Sequence, residues 1–277
     1  GEEVGSPGLQ RFCKENAKFL SSDLLIASDG PRLNSFKPSI FLGSRGEISF
    51  NLELNSREEE HHSGNWGGLL SNPAIILSNA ISTIVNKNGE ILVNELKAKP
   101  LPDTIRKSIR KLKIEGDKNS PKIDRFWGEP GNTSVEKLYG TNTFEVKAWK
   151  AGNPEVPANA IPAKAKAICH MRFIKGTKVK DIIPALRKHL INNGFKKIKI
   201  ELDGEPREAS RLDPDHPYVK WALNSIKKTT NLEVDVIPNL GSTIPNDIFF
   251  EHLQIPTIWI PHSYGGCLQH APNEHIL

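Results

Sequence analysis

Alternation of apolar and polar residues is the clearest pattern along this chain. Ile48, Phe50, Leu52 and Leu54 alternate with polar residues, and Ala165 to Phe173 repeats the pattern with Ile168, His170 and Arg172 on one face. A period of two predicts half-buried strands. Ala74 to Val85 and Lys178 to Asn193 instead carry apolar residues at helical spacing, the second run closed by Gly194, and Lys196 to Leu202 predicts another strand. Asn88-Gly89 marks a tight turn, while residues 96–135, rich in Pro, Lys and Gly with weak periodicity, read as a decorated loop with one helix. Strand, helix, strand, helix, strand predicts a small α+β sandwich over residues 46–208, forming a separate domain.

The flanking segments have a different texture. A helix around Pro7 to Leu20 precedes the apolar run Leu24 to Ala27, which ends in Ser28-Asp29-Gly30. An apolar strand of this kind sets Asp29 at its carboxyl edge, where open α/β sheets bind ligands, although an Asp in an ordinary turn has the same spacing. After Arg207 the pattern predicts a helix from His216 to Lys228, then Asn239-Leu240-Gly241-Ser242 opening a helix at Pro245, then a buried strand from Ile255 to Ile260. Backbone amides at a helix start suit a carboxylate. Residues 1–45 and 209–277 are therefore read as two segments of one α/β unit interrupted by the sandwich.

Composition narrows the classes. With 277 residues, 37% of them hydrophobic and 25% charged, the chain can bury a sizeable core. No apolar stretch approaches the roughly 20 residues of a membrane helix, and the first residues show no signal-peptide pattern. Cys13, Cys169 and Cys267 lack metal-ligand spacing, so they read as buried apolar residues in a reducing cytoplasm. The net charge of +5 is spread through acidic segments without a recognition motif, so neither nucleic acid nor a membrane is an expected partner. The chain opens on Gly1 without Met and runs straight into a motif, which reads as a piece cut from something longer.

That motif is Glu2-Glu3, and with His61-His62-Ser63-Gly64 and His270-Ala271-Pro272-Asn273-Glu274 it carries the candidate chemistry. Of two adjacent carboxylates, one can bind a metal while its neighbour stays free as a general base, and a remote His can complete the ligand set. The order of motifs resembles the M20 family of dinuclear-zinc exopeptidases and deacylases. It is carried by Glu2-Glu3-Val4-Gly5-Ser6, Ser28-Asp29-Gly30, His62-Ser63-Gly64-Asn65-Trp66-Gly67-Gly68, Ala160-Ile161-Pro162-Ala163, Met171-Arg172-Phe173, Gly241-Ser242 and the His270 motif.

The resemblance implies an α/β fold, part of a zinc-exopeptidase-like catalytic domain with the sandwich as an inserted lid and dimerisation domain. It implies Glu2 as general base, Glu3, Asp29 and His270 as ligands of zinc, two per complete site, with other divalent metals as options. His62 would reach the site of a second copy and stabilise the oxyanion there, making the protein a homodimer through the lid. Arg172 would grip the substrate carboxylate, assisted by the Gly241-Ser242 backbone, and His216 would line the pocket.

Two departures qualify the transfer. Asn239 and Asn159 stand where carnosinase-like members commonly carry Arg and Thr. The family's His-x-Asp ligand motif and bridging Asp would precede Gly1, so the chain as given is expected to hold neither zinc tightly and to hydrolyse little. For the parent protein the expected activity is zinc-dependent hydrolysis of dipeptides or small peptides. The alternatives are a deacylase of N-acyl amino acids and a non-catalytic dimerising or binding protein.

Overall fold

A computed structural model describes residues 6–33, 35–114, 122–268 and 272–276. Helix α1 (Leu9–Glu15) leads to strand β1 (Leu25–Ala27), and the short strands β2 (Pro31–Arg32), β3 (Ser39–Phe41) and β4 (Gly43–Ser44) precede the long β5 (Gly46–Asn55). Strand β6 (His61–His62) runs into the single-turn helix α2 (Ser63–Trp66), then α3 (Pro73–Ile84), α4 (Asp103–Arg110) and α5 (Ser134–Gly140). The chain continues through β7 (Thr143–Lys150), β8 (Ala160–Ile161), β9 (Lys164–Phe173), α6 (Val179–Asn192), β10 (Lys199–Leu202) and β11 (Ser210–Arg211). It closes with α7 (Pro217–Thr230), β12 (Asp235–Ile237), β13 (Thr257–Trp259) and β14 (Ser263–Tyr264).

The larger sheet has the order β10-β5-β9-β7 and is antiparallel throughout. Every second residue of β5 and β9 is buried, as the alternation in sequence requires. Phe50, Leu52, Ala167 and Met171 on the covered face pack against Leu77 and Ile84 of α3 and Leu186 of α6. Each large apolar side chain buried there contributes about 1.5–3 kcal/mol. Glu47, His170 and Arg172 lie on the open face, beside Thr143 and Glu145 of β7.

Local chemistry fixes the helix ends. Asn72 caps α3 by accepting from the Ala74 amide at 2.9 Å, with Pro73 in the first turn. Thr133 and Glu136 form a reciprocal capping box on α5. Gly194, at φ 86°, ends α6, where a side chain would be strained.

The smaller sheet has the order β1-β13-β3-β12, with β1 parallel to β13 and β3 parallel to β12. Helix α7 covers one face through Val219 and Ala222 against Ile40, Leu42 and Ile258. The other face is covered from within the 96–135 stretch and its continuation. Ile105, Ile109 and Tyr139 pack on Phe41, Ile237 and Trp259, and Ser108 Oγ donates to the Val236 carbonyl at 2.7 Å. An excursion from the larger sheet thus supplies a wall of the smaller one.

Some expected bounds shift. Helix α1 stops at Glu15, and the helix expected to open at Pro245 does begin there, with residues 246–247 α-helical and Ile248–His252 continuing as a π-helix. Strands β3, β7 and β12 have sequence signals too short or too polar to read alone; β7 exposes six of its eight residues. No helix among the described residues is long and apolar enough to cross a membrane. Cys13, Cys169 and Cys267 are free and buried, and burial pushes the Cys169 thiol up to about 12.

Candidate functional site

Parallel pairing of β1 with β13 brings the carboxyl ends of both strands to one edge. Asp29 follows β1 there, half-buried, its Oδ1 accepting from the Gly30 amide at 2.6 Å. Ser28 Oγ donates to the Ile260 carbonyl at 2.9 Å and lies 3.2 Å from His262 Nδ1. His262 was not among the sequence candidates, although its position just after a second buried strand is the same signal that marked Asp29. Gly30 sits so close to Leu240 that a Cβ would lie 3.5 Å from its side chain. The Asp29 turn therefore adjoins the residue that precedes Gly241.

Gly241 and Ser242 belong to a turn fastened by two arginines. Arg45, only 6% exposed, donates from Nε to the Gly241 carbonyl at 2.6 Å and from its backbone amide to the Leu240 carbonyl at 3.1 Å. Thr243 Oγ1 donates to the Arg45 carbonyl at 2.9 Å and accepts from Arg172 Nη1 at 2.8 Å. Arg172 Nη2 is 3.2 Å from Glu47 Oε2, and His170 Nε2 lies 3.3 Å from the same oxygen. The hydrogen bond from His170, then the charge of Arg172, hold the Glu47 carboxyl below the usual range despite its partial burial. Burial, then repulsion from Arg172, lowers Arg45 to about 10, still charged at neutral pH. Arg45, Glu47 and Thr243 escaped sequence reasoning, because only tertiary contact reveals that they bear on Arg172.

His62 lies elsewhere. It is exposed on the β6–β8 arm and caps α2, its Nδ1 accepting from the Gly64 amide at 3.1 Å. Arg172 is paired opposite Glu47 near the start of β5, while the arm follows the far end, where Asn55 is opposite Lys164. Those strand ends are about 26 Å apart at roughly 3.3 Å per residue. His216 caps α7, its Nδ1 accepting from the Tyr218 amide at 3.3 Å and its ring 5.4 Å from that of Tyr218. That geometry accounts for His216 as a helix cap.

Glu2, Glu3 and His270 lie outside the described residues. Among the described residues, no three His, Cys, Asp or Glu side chains gather closely enough to hold a metal ion. Asp29 keeps one carboxylate oxygen without a hydrogen bond among those residues, and an imidazole lies near its neighbour Ser28. Such oxygen and imidazole donors suit a borderline divalent cation such as zinc.

Residues 42–197 match the family model of the M20 peptidase dimerisation domain. The human Beta-Ala-His dipeptidase is 26% identical over 99% of this chain and 56% of its own length. The Cys-Gly metallodipeptidase of Schizosaccharomyces pombe is 25% identical over 99% of this chain and 60% of its own. Among solved structures, an M20 family metallo-carboxypeptidase from Sulfolobus solfataricus superposes with a TM-score of 0.81 at 26% identity, covering 99% of this chain and 64% of that one. Human carnosine dipeptidase 1 shares the fold, with a TM-score of 0.75 at 21% identity, covering 99% of this chain and 61% of that one. The chain spans less than two thirds of the length of each of these relatives.

Proposed function

From the chain's membership of the M20 peptidase family, whose dimerisation domain it carries, we propose that it serves in metal-dependent hydrolysis of dipeptides and other small peptides. The observation that carries this reading is the connection between two parts of one site. The Asp29 turn packs on Leu240, and the adjoining Gly241–Thr243 turn is fastened to Arg172. A carboxylate at a strand end is thus joined, through the Leu240–Thr243 turn, to the strand that carries a guanidinium able to bind a substrate carboxylate. The dipeptidases among the relatives make a small peptide the preferred substrate.

In this reading residues 1–45 and 209–277 form the catalytic unit and 46–208 the lid. Glu3, Asp29 and His270 would hold zinc, which when bound supplies a water of lowered pKa. The Glu2 carboxylate would take a proton from the attacking water as its oxygen bonds to the peptide carbonyl carbon, and would return it to the amine nitrogen as the C–N bond breaks. Arg172 turns from Glu47 to the carboxylate of the peptide and fixes the amide in register. His62 serves a second copy of the chain, because its own Arg172 lies near the opposite end of the sheet. A homodimer follows, with each lid completing its partner's site.

The test uses the longest form that the gene encodes, supplied with zinc. Free amino acids should appear from a dipeptide panel, and Glu2→Gln and Asp29→Ala should abolish the release while leaving the fold intact. Two inactive variants, Glu2→Gln and His62→Ala, should recover activity when mixed as subunits. Release of acetate or succinate from N-acyl amino acids, with the dipeptides untouched, would assign the protein to deacylation instead.

A further inference from the structure

A cavity of about 680 Å³ lies between the open face of the larger sheet and α5. Four cationic side chains line it, Arg45, Arg125, Lys137 and Arg172, against the carboxylates of Asp124 and Glu145. Two of the cations are already engaged. Arg172 binds Glu47 and Thr243, and Lys137 Nζ donates to the carbonyls of Arg125 and Trp127 at 2.9 and 2.6 Å.

Arg45 differs from both. Its Nε serves the Gly241 carbonyl, but buried Nη1 has no acceptor, and its side chain makes no other hydrogen bond or ion pair among the described residues. Glu145 acts on it only through space. A buried guanidinium with no carboxylate bonded to it is stabilised by the charge of an arriving oxyanion. Leu138, Ile123 and Trp127 give the cavity an apolar wall, which fits a carbon chain better than a bare inorganic ion.

We propose that this cavity is a binding site for an organic carboxylate, received by the guanidinium of Arg45. The planar guanidinium offers paired donors matched to carboxylate geometry. The carboxylate has two sources with the same chemistry, the acidic side chain of a bound peptide or a free small dicarboxylate. If Arg172 takes the main-chain carboxylate as proposed above, Arg45 is left for a second one, and that clause alone rests on the peptidase reading.

Calorimetric titration of the 277-residue chain with succinate, Gly-Asp and Gly-Asn separates these sources. Gly-Asp should bind about tenfold more tightly than Gly-Asn, the size expected of one charge-assisted hydrogen-bonded contact. A peptide side chain is the source if succinate stays silent, and a free acid if succinate also binds. Arg45→Lys should reduce either affinity about tenfold. Glu145→Gln, at an exposed position, should raise it severalfold by removing a like charge. Silence from both succinate and Gly-Asp, or equal binding of Gly-Asp and Gly-Asn unchanged by Glu145→Gln, overturns the site. Binding is read without turnover, so failure here leaves the peptidase proposal standing, and loss of hydrolysis leaves this one standing.

Discussion

Arg172 Nη1 donates to Thr243 Oγ1 at 2.8 Å, and through that hydroxyl the open face of the larger sheet is fastened to the turn after β12. Because Thr243 also donates to the Arg45 carbonyl, one side chain joins both arginines. Thr243→Val keeps the shape and deletes both bonds. It should cost about 1–3 kcal/mol by urea denaturation, since a charged donor loses its acceptor, and Thr243→Ser should restore most of that. Equal stability of Thr243→Val and the wild type would show that the hydroxyl is not what joins the sheets.

Gly46 opens β5 where the chain passes between sheets. A Cβ there would lie 2.3 Å from the Phe173 ring and 2.6 Å from the Ala209 amide nitrogen. Gly46→Ala should therefore destabilise by about 1–3 kcal/mol through overpacking, or more because part of the clash is with backbone. Thermal unfolding followed by circular dichroism gives the comparison.

Leu52 is fully buried between the larger sheet and its helices. Leu52→Ala should cost about 2–5 kcal/mol in chemical denaturation, combining lost burial with the cavity left behind.

Glu47 gives the site a pH signature. Its folded-state pKa lies below the ordinary 4.5, so its contribution to stability is present above that value and is lost as pH falls through the folded pKa. Glu47→Gln should be less stable than the wild type at neutral pH, with the gap closing as pH falls below 4.5 and through the lowered folded-state pKa. A gap in melting temperature that stayed constant from neutral to acid pH would remove the Glu47–His170–Arg172 coupling.

Asn239 is 2% exposed, and neither its amide nitrogen nor its oxygen has a partner among the described residues. Asn239→Leu should raise stability by about 1 kcal/mol, because an apolar side chain of similar size ends that desolvation cost. A lower melting temperature for the variant would mean that Asn239 has polar company in solution.

Much of the larger sheet was legible in sequence because its periodicity is local. In β5 and β9 alternate side chains face a core, so the apolar pattern is written into neighbouring residues. The placement of Asp29 at a strand end and of Arg172 on a strand face was legible for the same local reason. The chain order of motifs also carried the family resemblance.

Tertiary structure alone decided which of these residues meet. Arg45 looks like any basic residue before a strand until the fold buries it against Gly241, some two hundred residues away in sequence. Likewise α4 and α5 follow the first strand of the larger sheet but cover the smaller one, and His62 is carried to the end of β5 away from Arg172. Periodicity records which face of an element is apolar, whereas a site depends on which distant faces pack together. That choice is made by the burial of the whole chain, and no short stretch of sequence contains it.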